Sequence, residues 1–127
     1  MKVYVVLERN YEYNDETYEA FEGGNAVLAF HSRENAIDKA ISLTANWLKV
    51  AGGDILYNYE DSYFIANDKL DEVLRKYGFD PETEFDWNGW NDICSKFVND
   101  FSVEDLKIVA KNLINPMFFV EEIELES

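Results

Sequence analysis

The sequence predicts an α+β fold: a small antiparallel sheet of about three strands, two N-terminal and one C-terminal, packed against about four helices. Three observations carry that prediction. The ends of the chain read as strands, from the apolar run Val3-Tyr4-Val5-Val6-Leu7 to the alternation of Ile123-Glu124-Leu125-Glu126. The middle repeats its apolar side chains three or four residues apart, the spacing of one helix face. Helix starts and stops punctuate that middle: Ser32, Asn67 and Ser102 before the helices, Gly52-Gly53, Gly78 and Pro116 after them. At 127 residues the chain has the length of one domain, so residues 1–127 are read as a single globular unit without repeats or linkers.

Lys2 to Glu8 reads as a strand whose start is apolar on both faces, which places it inside the sheet rather than at an edge. The alternation allows an extension through Tyr11 and Tyr13, ahead of the polar stretch Asn14-Asp15-Glu16-Thr17. Gly23-Gly24-Asn25 is read as the turn into a second strand, Ala26 to Phe30, antiparallel to the first. Ser32 caps a helix in which Ala36, Ile37, Ala40, Ile41, Thr44, Trp47 and Leu48 share helical spacing, and Gly52-Gly53 suits a left-handed end.

Asp54 to Ala66 admits two readings. Alternation of Ile55, Tyr57, Tyr59, Tyr63 and Ile65 favours extended structure turning at Glu60-Asp61, whereas Leu56, Tyr59 and Tyr63 fit a helix. Asp68 to Tyr77, capped by Asn67, is a helix with Leu70, Val73, Leu74 and Tyr77 on one face. Trp87 to Asp100 is another, its stripe running Trp87, Trp90, Cys94, Phe97, Val98 and on to Phe101. Ser102-Val103-Glu104-Asp105 matches a capping signature and opens a last helix through Leu106, Val109, Ala110 and Leu113. Met117 to Glu126 is the third strand.

Charge sets the expected partners. With 26 acidic and 11 basic side chains the net charge is −15, and Lys and Arg stand singly except at Arg75-Lys76. Binding to phosphates needs clustered cations, so direct nucleic-acid binding is not expected, nor is adhesion to an anionic membrane. Such a field favours a basic protein surface. One cysteine permits no internal disulfide, the N-terminal apolar run of five is short for a signal peptide, and no stretch nears the ~20 apolar residues of a membrane helix. No Asn-x-Ser/Thr acceptor occurs, and the expected location is the cytoplasm.

Reactive chemistry finds little support. His31 and Cys94 are the sole histidine and cysteine, too few for a usual zinc set, and no Gly-x-Ser-x-Gly elbow surrounds a serine. Neither Gly23-Gly24 nor Gly52-Gly53 fits a phosphate cradle, so no cofactor is expected. The acidic run Asp80, Glu82, Glu84 and Asp86 leads into Trp87 and Trp90, an acidic rim beside aromatic anchors. Glu122 and Glu124 add a stripe on the last strand, which also serves to keep an edge from pairing with other chains.

These residues are the expected partner-binding set of a non-catalytic acidic module that grips a basic protein, as an inhibitor, immunity or regulatory protein or a nucleic-acid mimic. A carboxylate enzyme without a cofactor is one alternative. The other is calcium binding within residues 80–95, with Glu84, Asp86 and Asn88 as ligands, Gly89 at the turn, and Ser95 where a bidentate glutamate belongs. A homodimer stays open.

Overall fold

The computed structural model describes residues 1–13, 18–52, 64–81 and 87–125, with the backbone alone for 10–13, 18–25 and Trp87. These form a three-stranded antiparallel sheet and four helices. In chain order they are β1 (Lys2–Tyr13), β2 (Tyr18–Phe30), α1 (Arg33–Ala51), α2 (Asp68–Lys76), α3 (Trp87–Asn99), α4 (Val103–Lys111) and β3 (Phe118–Glu124). The α+β class and the origin of the strands are as the patterning predicts. The sheet order β2-β1-β3 puts β1 in the middle, where Val6 pairs with Leu28 on one side and Val120 on the other. An apolar run suits that central place, because both edges of β1 are paired there and α1 packs on one of its faces.

β1 takes the extension through Tyr11 and Tyr13 that the alternation allows, while β2 is longer than the expected Ala26–Phe30. Pairing continues outward through Tyr11 with Ala20 and Tyr13 with Tyr18. Gly23-Gly24, expected as the turn, therefore lies inside β2. The register shifts there: Arg9 pairs with Gly24 and Tyr11 with Ala20, so Asn10 faces three residues. Glycine inside a strand marks such an irregularity rather than the chain reversal.

The helices begin where the caps predict. The Ser32 hydroxyl accepts from Asn35 N–H, the Asn67 side chain from Lys69 and Leu70 N–H, and the Ser102 hydroxyl from Asp105 N–H. Gly52 ends α1 at φ 78°, the left-handed region that costs other residues about 1–2 kcal/mol. Leu113, expected within the last helix, lies beyond its end and bridges to Phe64, while Ile65 N–H donates to Asn112 C=O at 2.7 Å. That fixes the end of the ambiguous 54–66 segment as extended. Residues 53–63, and with them the Glu60-Asp61 turn, lie outside the described residues.

Two apolar clusters share α1. Its C-terminal half, with Ala45 and Leu48, packs into a helical core containing Leu70, Leu74, Trp90, Phe97 and Leu106. Its N-terminal half presents Ala36 and Ala40 to Val6 of the sheet, flanked by Tyr4, Phe30, Phe118 and Val120. Small residues let a helix lie close to the strands. Thr44, fully buried between the two clusters, pins β3: its hydroxyl accepts from Phe118 N–H at 3.1 Å and donates to Phe118 C=O at 3.4 Å.

Candidate functional site

The seam between the two clusters opens into a groove of about 310 Å³, at the small end of the size range of ligand-binding pockets. One wall is a single face of α1. Arg33, Ile37, Ile41 and Thr44 recur three or four apart, so the helix aims them the same way. The opposite wall is the end of α4 at Lys111 and the chain from Pro116 into β3, where Phe118, Phe119 and Val120 supply apolar surface. Arg9 braces that wall from behind: its Nε–H donates to Pro116 C=O at 3.0 Å, and its guanidinium lies 4.5 Å from the Phe119 ring centroid.

The groove's electrostatics run against the whole molecule's. Among the described residues no carboxylate lines it, and the two charged residues that do, Arg33 and Lys111, are both cations. Both are exposed, and among the described residues neither forms an ion pair. An apolar floor with two free cations is suited to an anionic group attached to an apolar body.

A larger concavity of about 670 Å³ lies between the C-terminal end of α2 and α3, lined by Tyr77, Phe79, Asp92, Lys96 and Asp100 among others. Its lysine is engaged, with Lys96 Nζ 3.3 Å from Asp100. One wall is anchored by a polar clamp. Asp105 Oδ2 accepts from Tyr77 O–H at 2.6 Å and from Lys76 Nζ at 2.8 Å, while Ser102 N–H donates to Tyr77 Oη at 3.2 Å. The Tyr77 ring stacks on Phe101 with centroids 3.8 Å apart.

Burial pushes the Asp105 carboxyl up, but hydrogen bonds from Lys76, Tyr77 and Ser102 and the lysine's charge outweigh it and hold the group below the usual carboxylate value. The bond to Asp105, and then its charge, raises Lys76 above the ordinary 10.5. This cluster joins α2 to α4. It is a structural device.

The residues expected to bind a partner are not assembled into one surface by the described structure. Trp90 is corrected from anchor to core: it is fully buried, 6.1 Å from Phe64 and 6.4 Å from Phe97, because its helical spacing points the stripe inward. Trp87 begins α3, and its side chain lies outside the described residues, as do Glu82, Glu84 and Asp86. Asp80 is exposed after α2. Glu122 and Glu124 are exposed on β3, with Glu122 3.9 Å from Lys2 Nζ and Glu124 3.1 Å from the Met1 amino group.

The calcium reading loses its turn. Asn88 and Gly89 lie in the first turn of α3 rather than in a loop, and Gly89 is not among the glycines with positive φ. Among the described residues no group of three or more His, Cys, Asp or Glu side chains is placed to hold a metal ion. No helix among them is long and apolar enough to cross a membrane.

Sequence reasoning missed Arg33, Lys111, Ile37, Ile41 and Phe119 as a site, because three separated segments build the groove. The available signal was slight: Arg33, Ile37 and Ile41 repeat at intervals of four, continuing an apolar helix face to a cation at its start.

No family model matches the chain, and no solved structure matches it significantly. A stretch of 52 residues, 41% of the chain, is 36% identical to the transcription antitermination protein NusB of Syntrophomonas wolfei. The chain spans 39% of that protein's length. This likeness to a protein of transcription overturns the reading as an inhibitor-like acidic module for a basic protein, and with it the exclusion of nucleic acid. The physical error was to let net charge stand for local charge. A total of −15 describes the far field, whereas contacts are made over a few ångströms, where the described lining of one groove carries two cations and no carboxylate.

Proposed function

We propose that the chain acts on transcription, as a cytoplasmic, non-catalytic factor of the antitermination kind. The observation that carries this reading is the 36% identity over 52 residues to an antitermination protein. It concerns the process alone, since the chain spans 39% of that protein. Such a factor needs no nucleophile, and the residues best able to supply one are poorly disposed. His31 is exposed at the end of β2, and Cys94 is buried in the helical core.

Charge sets a condition on how the factor works. A chain of −15 repels nucleic acid and other anionic surfaces at long range, so contacts with them depend on cations standing clear of carboxylates. The test is a terminator placed ahead of a reporter gene in bacterial cells. Expression of the chain is expected to raise read-through in proportion to its level. Read-through that does not change over the whole expression range overturns the reading.

A further inference from the structure

We infer that the groove between α1, the end of α4 and the start of β3 is a binding site for a small amphipathic anion: an aromatic or branched aliphatic body carrying one oxyanion. The inference stands on the groove alone and does not rest on the transcription reading. Charge complementarity identifies the occupant. In a chain of −15, the described lining of this groove holds no carboxylate and two cations, Arg33 and Lys111, which among the described residues have no ionic partner. An uncharged apolar ligand would leave that pair without a role, and a bare inorganic anion would leave the apolar floor uncovered.

The lining offers two chemistries to one ligand. Ile37, Ile41 and Val120 supply apolar surface for the body, whose removal from water favours binding. Arg33 supplies a planar fork suited to two oxygens of a carboxylate or phosphate, and Lys111 a compact point charge. The wall bearing Phe118 is held by its two bonds to Thr44, and Phe119 is backed by Arg9, so the site is formed before a ligand arrives. At about 310 Å³ it suits a small molecule rather than a folded partner.

The test uses three probes against the full chain, followed by amide NMR shifts: 3-phenylpropanoate, its neutral amide 3-phenylpropanamide, and inorganic phosphate. Phenyl phosphate replaces the propanoate in a parallel arm to distinguish the two oxyanion sources. The expected result is saturable binding of an aromatic oxyanion with Kd of about 1 mM or tighter. Shifts should concentrate at Ile37, Ile41 and Val120, with affinity at least about tenfold above the amide's. Arg33→Gln and Lys111→Gln, both at exposed positions, should erase the preference for the anion while leaving amide binding unchanged. Ile41→Ala should weaken anion and amide alike. Equal affinity for propanoate and amide overturns the inference. So does saturation by inorganic phosphate at the same concentration, shifts centred elsewhere, or no binding of either aromatic oxyanion at several times that concentration.

Discussion

Among the described residues, the helical half of the molecule buries fourteen side chains in one cluster, whereas the layer between α1 and the sheet buries three, Val6, Ala36 and Ala40. The residues differ as much as the numbers. The helices interlock bulky groups, with Phe97 edge-on to Phe101 at 4.9 Å and to Trp90 at 6.4 Å. The sheet layer uses two alanines, so the helix lies close to the strands at its centre and leaves the margin open. The groove sits at that margin. Dense packing supplies a rigid frame, and the thinner layer beside it supplies room for a ligand.

Truncations test the difference most severely. Phe97→Ala is expected to cost about 3–5 kcal/mol, a large part of the stability of a domain this size, while Val6→Ala costs about 2 kcal/mol. Urea unfolding midpoints of the two variants measure both. Equal losses would break the comparison between the halves.

The Asp105 clamp comes next, because it holds two parts of the helical half together through charge rather than apolar packing. Asp105→Asn is expected to lose about 1.5–3 kcal/mol at neutral pH. The carboxyl is held below its ordinary value, so its contribution is complete above about 3.8 and fades as pH falls through the lower folded value. Lys76 is held above 10.5, so its share is complete below that pH and fades as pH rises through the higher folded value. Unfolding midpoints of parent and variant should therefore converge as the pH is lowered below about 3.8. A gap that stays constant over that range would show that the loss is packing and not charge.

How far the sequence revealed this arrangement depends on the range of the forces involved. Caps and glycine stops act within a turn, so Ser32, Asn67, Ser102 and Gly52 could be placed from neighbours alone. The early start of β2 could not, because pairing of Tyr11 with Ala20 across a bulge is decided between strands and not within one. Trp90 was misread as an anchor because the acidic run before it outweighed its helical spacing, which points it into the core. The groove was opaque, since Arg33, Lys111 and Phe119 meet only after α4 folds against α1. Composition misled most about partners, because a surplus of 15 charges hides where any one cation stands.

Smaller changes sharpen the picture. Gly52→Ala forces a side chain into a left-handed backbone at about 1–2 kcal/mol, and also presses its Cβ to 3.2 Å from the Cys94 carbonyl oxygen of the packed half. Gly78→Ala, at φ 89° with nothing within 4 Å, bears the backbone cost only. Thermal unfolding should rank Gly52→Ala as the more damaging; the reverse order would mean that α1 and α3 yield easily where they touch. Smallest of all is Glu122→Gln. Its partner Lys2 is 3.9 Å away with both side chains more than half exposed, so the expected change is under about 0.5 kcal/mol in the same assay. A loss above 1 kcal/mol would give the edge strand an electrostatic role in holding the sheet.

The most direct test of the functional account is single-round transcription by purified bacterial RNA polymerase across a terminator, with the chain added as a concentration series. The account predicts that the fraction of full-length transcript rises with added protein and then saturates. A fraction that stays flat at every concentration, with the added protein shown to be folded by circular dichroism, would contradict it.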